Sequence, residues 1–560
     1  GNAQFNMESS IASIISGTAS FEGGASNWSS SNLEVSGDGS ILFGGTSVVS
    51  FENSLVSLSG SGILSMIDNS EIYFTSSELN ISDGNFLVGG SALLSVVSSH
   101  YSITGGQVTY TDNAQIIIES SSFSVTGGDV FFTGSAQVFI SENSVYEVTG
   151  GNVFTSGSSL LHLDANSCFV IEQGSVDYAE NNVLQLTNAC WNVTGGSVSL
   201  HDSVSYSLLA ESILQIEEGS FITENSVSLV IDNSQALISG GSFLLQDTSS
   251  LSLHNDAYID ISGGDAIFSG SVTTSVLQSV FSVSGGYVEF SGAAQLSWEA
   301  SELLISSGNL QVTGNSLVSF LESNVLVAGG AMKFSGTSEI SVEKSSFNVH
   351  MGSVNFLGNT IVSFIDSSLD IQDGDVQFAS KSQVSFLRSP VQISGQLEFI
   401  EEAKTHFTES DITVSGSFHA KDHCNVFFEQ CSLSIGGSLH TQNNADLRME
   451  DSRVTIEGGD LRVNDRGSFT VLRSLFTISS GNFISQNSNL MERKYISFSN
   501  SVINVEGNNN ANGHMEIIDN VELSLLFSDV MIDGDLILRG DARLNIFEES
   551  SFIIPSGVVE

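Results

Sequence analysis

The chain has 560 residues, 40% of them apolar, with 54 Gly, 2 Pro and only 14% charged residues. This is too hydrophobic for a disordered Ser/Gly linker and leaves either several globular domains or one repeat array. The formal net charge is −48, and all fifteen Lys and Arg lie at or beyond Lys333, so the first 332 residues set 32 Asp and Glu against no Lys or Arg. Such a surface repels nucleic-acid phosphate and anionic membranes, and no run of 18 apolar residues is present to form a transmembrane helix.

From the N-terminus the chain repeats itself. VTGGDVF at Val125–Phe131 returns as VTGGNVF at Val148–Phe154, and the second glycine of that echo can be followed in both directions. The marks begin at Gly17, Gly39 and Gly62, pass through Gly106, Gly128 and Gly151, and reach Gly481 in steps of 21 to 24 residues. Two longer steps, to Gly507 and Gly534, bring the total to 24.

Each unit reads as three short alternating runs. After Gly106 the apolar positions are Val108 and Tyr110, then Ile116 and Ile118, then Phe123 and Val125. Period-two alternation of Phe, Val and Ile predicts strands that bury one face, with Gly, Ser, Asn and Asp at the corners. About fifteen residues after each glycine a serine precedes the third strand, as at Ser31, Ser54, Ser77 and Ser99; Ala189, Asp256, Cys431 and Asn500 take its place in four units. A hydroxyl recurring at one corner can bond along the stack of its copies.

The pattern predicts an all-β parallel solenoid of about 24 coils of about 22 residues, three strands per coil, in a rod of order 115 Å. Residues 1–481 form the regular coils. Residues 482–560 form longer, less regular coils with an end cap and an exposed loop at GNNNANG, Gly507–Gly513.

Units such as GGAMKFSGTS, Gly329–Ser338, resemble the right-handed parallel β-helix superfold. That group includes pectin-lyase-like enzymes, bacterial filamentous adhesins and the polymorphic outer-membrane proteins, whose GGAI and FxxN repeats are the nearest in character. The resemblance implies a right-handed β-helix exposed at a cell surface. It also implies a place to look for polysaccharide chemistry, because enzymes of this fold use an Arg or Lys base with Ca2+-binding carboxylates, or clustered Asp.

The residues do not assemble that chemistry. No lyase base exists before Lys333, and Lys333 and Arg462, both three residues past their glycines, are six coils apart. Paired acids such as Glu217–Glu218 and Glu401–Glu402 are consecutive, so alternation points their side chains to opposite faces. His419 and His440 coincide on adjacent coils and could begin a transition-metal site, but Arg462 takes the third place. The acidic surface would attract Ca2+, yet no D-x-[DN]-x-[DN]-G loop is present, and no resident cofactor is expected.

Three features bear on contacts and location. The outward position three residues past each glycine carries Phe131, Phe154, Ile222, Leu244 and Ile267 in the N-terminal half, an apolar strip of the kind that marks a protein interface. Cys168 and Cys190 hold equivalent positions on adjacent coils, where a disulfide fits, whereas Cys424 and Cys431 share one coil with no evident geometry. Asn27, Asn80 and Asn192 head N-glycosylation sequons, and the last two are expected to face solvent.

The expectation is a non-enzymatic, extracellular or cell-surface structural protein, a rigid acidic solenoid that builds or decorates a fibre or appendage. Its partners would be copies of itself or other structural proteins, and glycans. Nucleic acid and membrane insertion are excluded. The alternatives are an adhesin or passenger domain that binds glycan or host ligands, and then a polysaccharide lyase or hydrolase.

Overall fold

In the computed structural model the described residues are 4–487, 494–506 and 513–560, and they contain no helix. The chain is a parallel β-solenoid of about 24 turns of about 22 residues. It forms two compact units, Gly1–Val288 and Glu289–Glu560, here called unit 1 and unit 2.

The coil opened by Gly128 in unit 1 shows how the sequence builds a turn. Its strands are Asp129–Phe132, Gln137–Ser141 and Val145–Val148. Each pairs in parallel with its equivalent one coil on, Asn152–Thr155, Leu160–Leu163 and Cys168–Ile171. Val130, Phe132, Val138, Ile140, Tyr146 and Val148 all point inward and are buried. A single coil cannot enclose these side chains, so the core exists only where coils stack. The aromatic residues stack with them: Phe123 and Tyr146 lie 4.3 Å apart between ring centroids, and Phe169 and Trp191 lie 5.3 Å apart.

Corner chemistry keeps the coils in register. At the first corner the glycines nest backbone to backbone. A Cβ on Gly151 would sit 2.0 Å from the carbonyl oxygen of Gly128, closer than any side chain tolerates. At the third corner the serine hydroxyl accepts the backbone N–H of the ladder residue one coil earlier. Ser54 N donates to Ser77 Oγ at 3.0 Å and Ser77 N to Ser99 Oγ at 3.0 Å, while Ser77 Oγ donates to Thr75 O at 2.9 Å. The ladder therefore satisfies buried N–H groups that no strand pairing reaches.

The structure corrects three details expected from the period. Ala257, not Asp256, fills the ladder, since its carbonyl accepts Val280 N; Asp256 sits one residue earlier in a left-handed conformation (φ 62°). Likewise Ser501, not Asn500, accepts Ser474 N at 3.2 Å, and Asn500 takes φ 48°. The corner before Ala257 holds two left-handed residues, Asn255 and Asp256, where the corners before Ser234 and Ser279 hold one, whereas Asn500 is the single left-handed residue before Ser501. The glycine of the penultimate coil is Gly513 rather than Gly507. Phe483 pairs with Met515 and Met515 with Leu536, each two residues past Gly481, Gly513 and Gly534. The extra length is therefore not shared between the last two steps but falls wholly within the coil from Gly481. The remainder of the GNNNANG segment, Gly507 included, lies outside the described residues.

Unit 2 repeats the plan with a more regular aromatic core. Phe364, Phe386, Phe407 and Phe428 stack at successive centroid distances of 4.8, 4.7 and 4.8 Å. The cations absent from unit 1 partly line one corner here. Glu322, Lys344, Asp366 and Arg388 hold the same left-handed position on four successive coils and alternate in sign. Lys344 Nζ meets Glu322 at 3.4 Å, and Arg388 forms a two-pronged bond to Asp366 at 2.7 and 2.9 Å. This bond holds the Asp366 carboxyl below its ordinary range.

Candidate binding surfaces

The apolar strip of unit 1 is one register column. Strand pairing runs from Leu42 through Ser65, Leu87 and Thr109 to Phe131 and Phe154. It continues through Asp177 and Ser199 to Ile222, Leu244 and Ile267. These apolar side chains are half-buried rather than fully exposed, because neighbours one coil above and below cover them. Phe131 and Phe154 stack at 5.1 Å with planes 16° apart, leaving their outer atoms to solvent. Asp177 and Ser199 divide the column into an aromatic patch and an aliphatic one.

The flanks of the column are polar and ordered. On one side Asn152 Nδ2 donates to Asp129 Oδ1 at 3.0 Å, and Ser175 Oγ donates to Asn152 Oδ1 at 2.6 Å. On the other, His201 lies between Asp177 and Glu224 at 3.2 Å from each.

In unit 2 the same column is polar. His419 and His440 pair in register and stack at 5.0 Å. Burial lowers the basicity of both rings; Lys421 adds to this at His419, and His419 and Arg462 add to it at His440. Burial also works to raise the Glu398 carboxyl, but its bonds to Lys421 at 2.7 Å and Gln377 at 3.0 Å carry it below its ordinary value. The next place in the column belongs to Arg462, which binds Asp460 at 2.7 Å. A guanidinium beside two imidazoles opposes a bound cation. Among the described residues no group of three or more His, Cys, Asp and Glu is arranged to hold a metal ion.

Cys168 and Cys190 form a disulfide across adjacent parallel strands, with Cα atoms 4.5 Å apart. Cys424 and Cys431 are free and buried, and burial pushes the Cys424 thiol up to about 12. Asn80 and Asn192 share the central outward column of the third strands, and Asn27 is exposed on the second. None of the three lies on the face that carries the apolar strip. The consecutive acids behave differently from expectation. Glu218 and Glu401 take left-handed corner conformations (φ 55° and 61°), so alternation breaks and all four carboxylates stay at the surface.

One further surface is not among those expected from the sequence. The central outward column of the second strands in unit 2 reads Ser297, Ser319, Ser341, Ser363 and Ser385, then His406, Phe427 and Arg448. Where the serines end, a groove of about 360 Å³ lies against His406 and Phe427. The signal for it is the same 22-residue period, followed at this position instead of three residues past the glycine.

Residues 30–340, more than half of the chain, match the sequence profile of a family described as the B subunit of the discoidin-inducing complex. The chain belongs to that family. The matched region contains the whole apolar strip from Leu42, the disulfide, and the sequons at Asn80 and Asn192. It ends before the His419–His440 pair and the step formed by His406 and Phe427. No curated protein matches the chain.

Proposed function

We propose that the chain is a non-catalytic structural subunit of an extracellular protein complex, docked to a different subunit through the apolar column of unit 1. The observation that carries this reading is the column itself, with Phe131 and Phe154 stacked on adjacent coils and Ile222, Leu244 and Ile267 consecutive beyond them. Apolar side chains gathered on one otherwise polar face are a recurrent sign of a protein contact. The family's description as a complex subunit supports a partner, and its words "discoidin-inducing" support a role for the assembly in raising discoidin levels. The Cys168–Cys190 bridge supports an oxidising compartment outside the cell.

Charge indicates the partner's character. Asp129 and Asp265 flank the column, Asp177 interrupts it, and unit 1 contains no Lys or Arg. Face-to-face pairing of two copies would oppose like charges, so a subunit with an apolar ridge and a basic rim fits better than a second copy. Fibre formation between copies, the simplest reading of the sequence, is therefore the lesser alternative. Polysaccharide cleavage is disfavoured because Lys333 and Arg462 stand six coils apart and Asp460 already engages Arg462.

The test replaces Phe131 and Phe154 with Asp in the full chain, then measures the size of the native assembly and the discoidin level it induces. The expected variant is folded but unassembled and induces little discoidin. Wild-type assembly and induction by the variant would overturn the proposal.

A further inference from the structure

The groove in unit 2 runs along the second strands, whereas the docking column of unit 1 lies on the first, and its chemistry is different. The outward column that leads to it holds five successive serines, in unbroken register from Ser297 to Ser385, the last of which lines the groove beside Ile361, Val362, Gln383 and Val384. With strands about 4.8 Å apart, this is a track of hydroxyls about 19 Å long. The positions two residues to either side form walls about 13 Å apart. Leu317 and Ile361, each 47% exposed, stand on one side, and the half-buried Ile365 and Leu387 on the other.

The hydroxyl track ends in a step. The His406 and Phe427 rings lie 4.7 Å apart with their planes tilted by 35°, and Arg448 lies over Phe427 at 5.2 Å from the ring centroid. Ser385 is too small to cover the histidine from the other side, and the groove opens there. Gln383, Lys404 and Asn425 border it, and their side chains have no hydrogen-bond partner among the described residues.

We propose that this groove binds a neutral oligosaccharide laid along the solenoid axis. A pyranose chain presents apolar C–H faces and hydroxyl edges along its length. The leucine and isoleucine walls and the ring step match the former; the serine track, the two amides and Lys404 match the latter. An extended peptide fits poorly, because its backbone N–H and C=O groups need a strand edge, and the backbone of this face is spent in ladder pairing. An acidic glycan or a phosphate is opposed by Glu339 and Glu343 in the walls and by the net charge of −48. The volume, about 360 Å³, suits a few sugar residues at the step.

Titration calorimetry of the full chain tests this with linear hexasaccharides of β-1,4-glucose, β-1,3-glucose and β-1,4-N-acetylglucosamine, and with a hexauronate. At least one neutral oligomer is expected to bind more tightly than the hexauronate. Ser385→Lys, which fills the groove from an outward position, and Phe427→Ala, which removes the step, should each weaken that binding by about tenfold or more. Ser252→Lys, an outward change on the second strands of unit 1, should leave it unchanged, and circular dichroism should be the same for all. The proposal is overturned if no neutral oligomer binds at millimolar concentration, if the hexauronate binds best, or if Ser385→Lys binds as the wild type does.

Discussion

Replacing Lys494 with Met should stabilise unit 2, and the gain should depend on pH. Lys494 is 4% exposed inside the solenoid, where its ammonium donates to the carbonyl of Val463. Burial lowers its pKa from 10.5 to about 7, with Asp465 opposing the change. Lowering a pKa by one corresponds to about 1.4 kcal/mol, so charging this amine in the folded chain costs about 5 kcal/mol. Between about pH 7 and 10.5 the unfolded chain holds the proton that the folded chain has lost. Stability therefore rises with pH across that window, and the full penalty is present below it. Met removes the penalty but also removes the ammonium's bond to Val463 O, a side-chain bond additional to that from the Ser485 hydroxyl at 3.2 Å. Losing that second bond costs about 1 kcal/mol, so the net gain near pH 6 is about 4 kcal/mol and reverses slightly above pH 10.5. Urea unfolding at about pH 6, 8 and 10 measures it. A short trypsin pulse identifies the relevant transition, because every Lys and Arg lies at or beyond Lys333. Parallel pH profiles for the wild type and Lys494→Met would show that the buried ammonium carries no such penalty.

Three further perturbations probe the corners and the cross-link. A Cβ at Gly374 would lie 1.9 Å from Gly352 O, so Gly374→Ala must push two backbones apart; a loss of about 3 kcal/mol or more is expected by urea unfolding, and a loss below about 1 kcal/mol would contradict the nested corner. Ser77→Ala deprives Ser54 N of its acceptor, now at 3.0 Å, and should cost unit 1 about 1–3 kcal/mol, whereas Ser77→Thr should recover part of the loss. The Cys168–Cys190 bridge spans 22 residues; Cys168→Ser with Cys190→Ser should cost about 3 kcal/mol, and reducing agent should then have no further effect on the melting temperature.

Much of this architecture is legible because a solenoid writes its geometry as a period. Val130 and Val153 are inward and Phe131 and Phe154 outward for the same reason that any strand alternates, and stacking makes 22-residue spacing equivalent to contact. The same logic places Cys168 opposite Cys190 and His419 opposite His440. Legibility fails where a corner gains or loses residues. Asp256 and Asn500 mimic ladder members because a left-handed residue precedes the ladder, and a one-residue shift there cannot be seen from period alone. Gly507 competes with Gly513 because spacing alone spreads the extra length over two coils, whereas the pairing of Phe483 with Met515 concentrates it in one. The buried ammonium of Lys494 is hidden for the same reason, since its inward position follows from strand pairing with Val521. The groove at His406 is hidden for a different reason. The hydroxyl track and ring step depend on which residues follow one another along the axis, and that order emerges only when the second-strand column is read downward.

The functional reading stands or falls on a partner subunit covering the outward column of unit 1. Hydroxyl-radical footprinting of the full chain, alone and in its native assembly, decides this, because side-chain oxidation reports solvent access even where the backbone is already paired. Oxidation of Phe131 and Phe154 should fall sharply on assembly, while that of Phe427, on a second strand of the other unit, should be unchanged. Equal oxidation of Phe131 and Phe154 in the two states would mean that no partner covers the column.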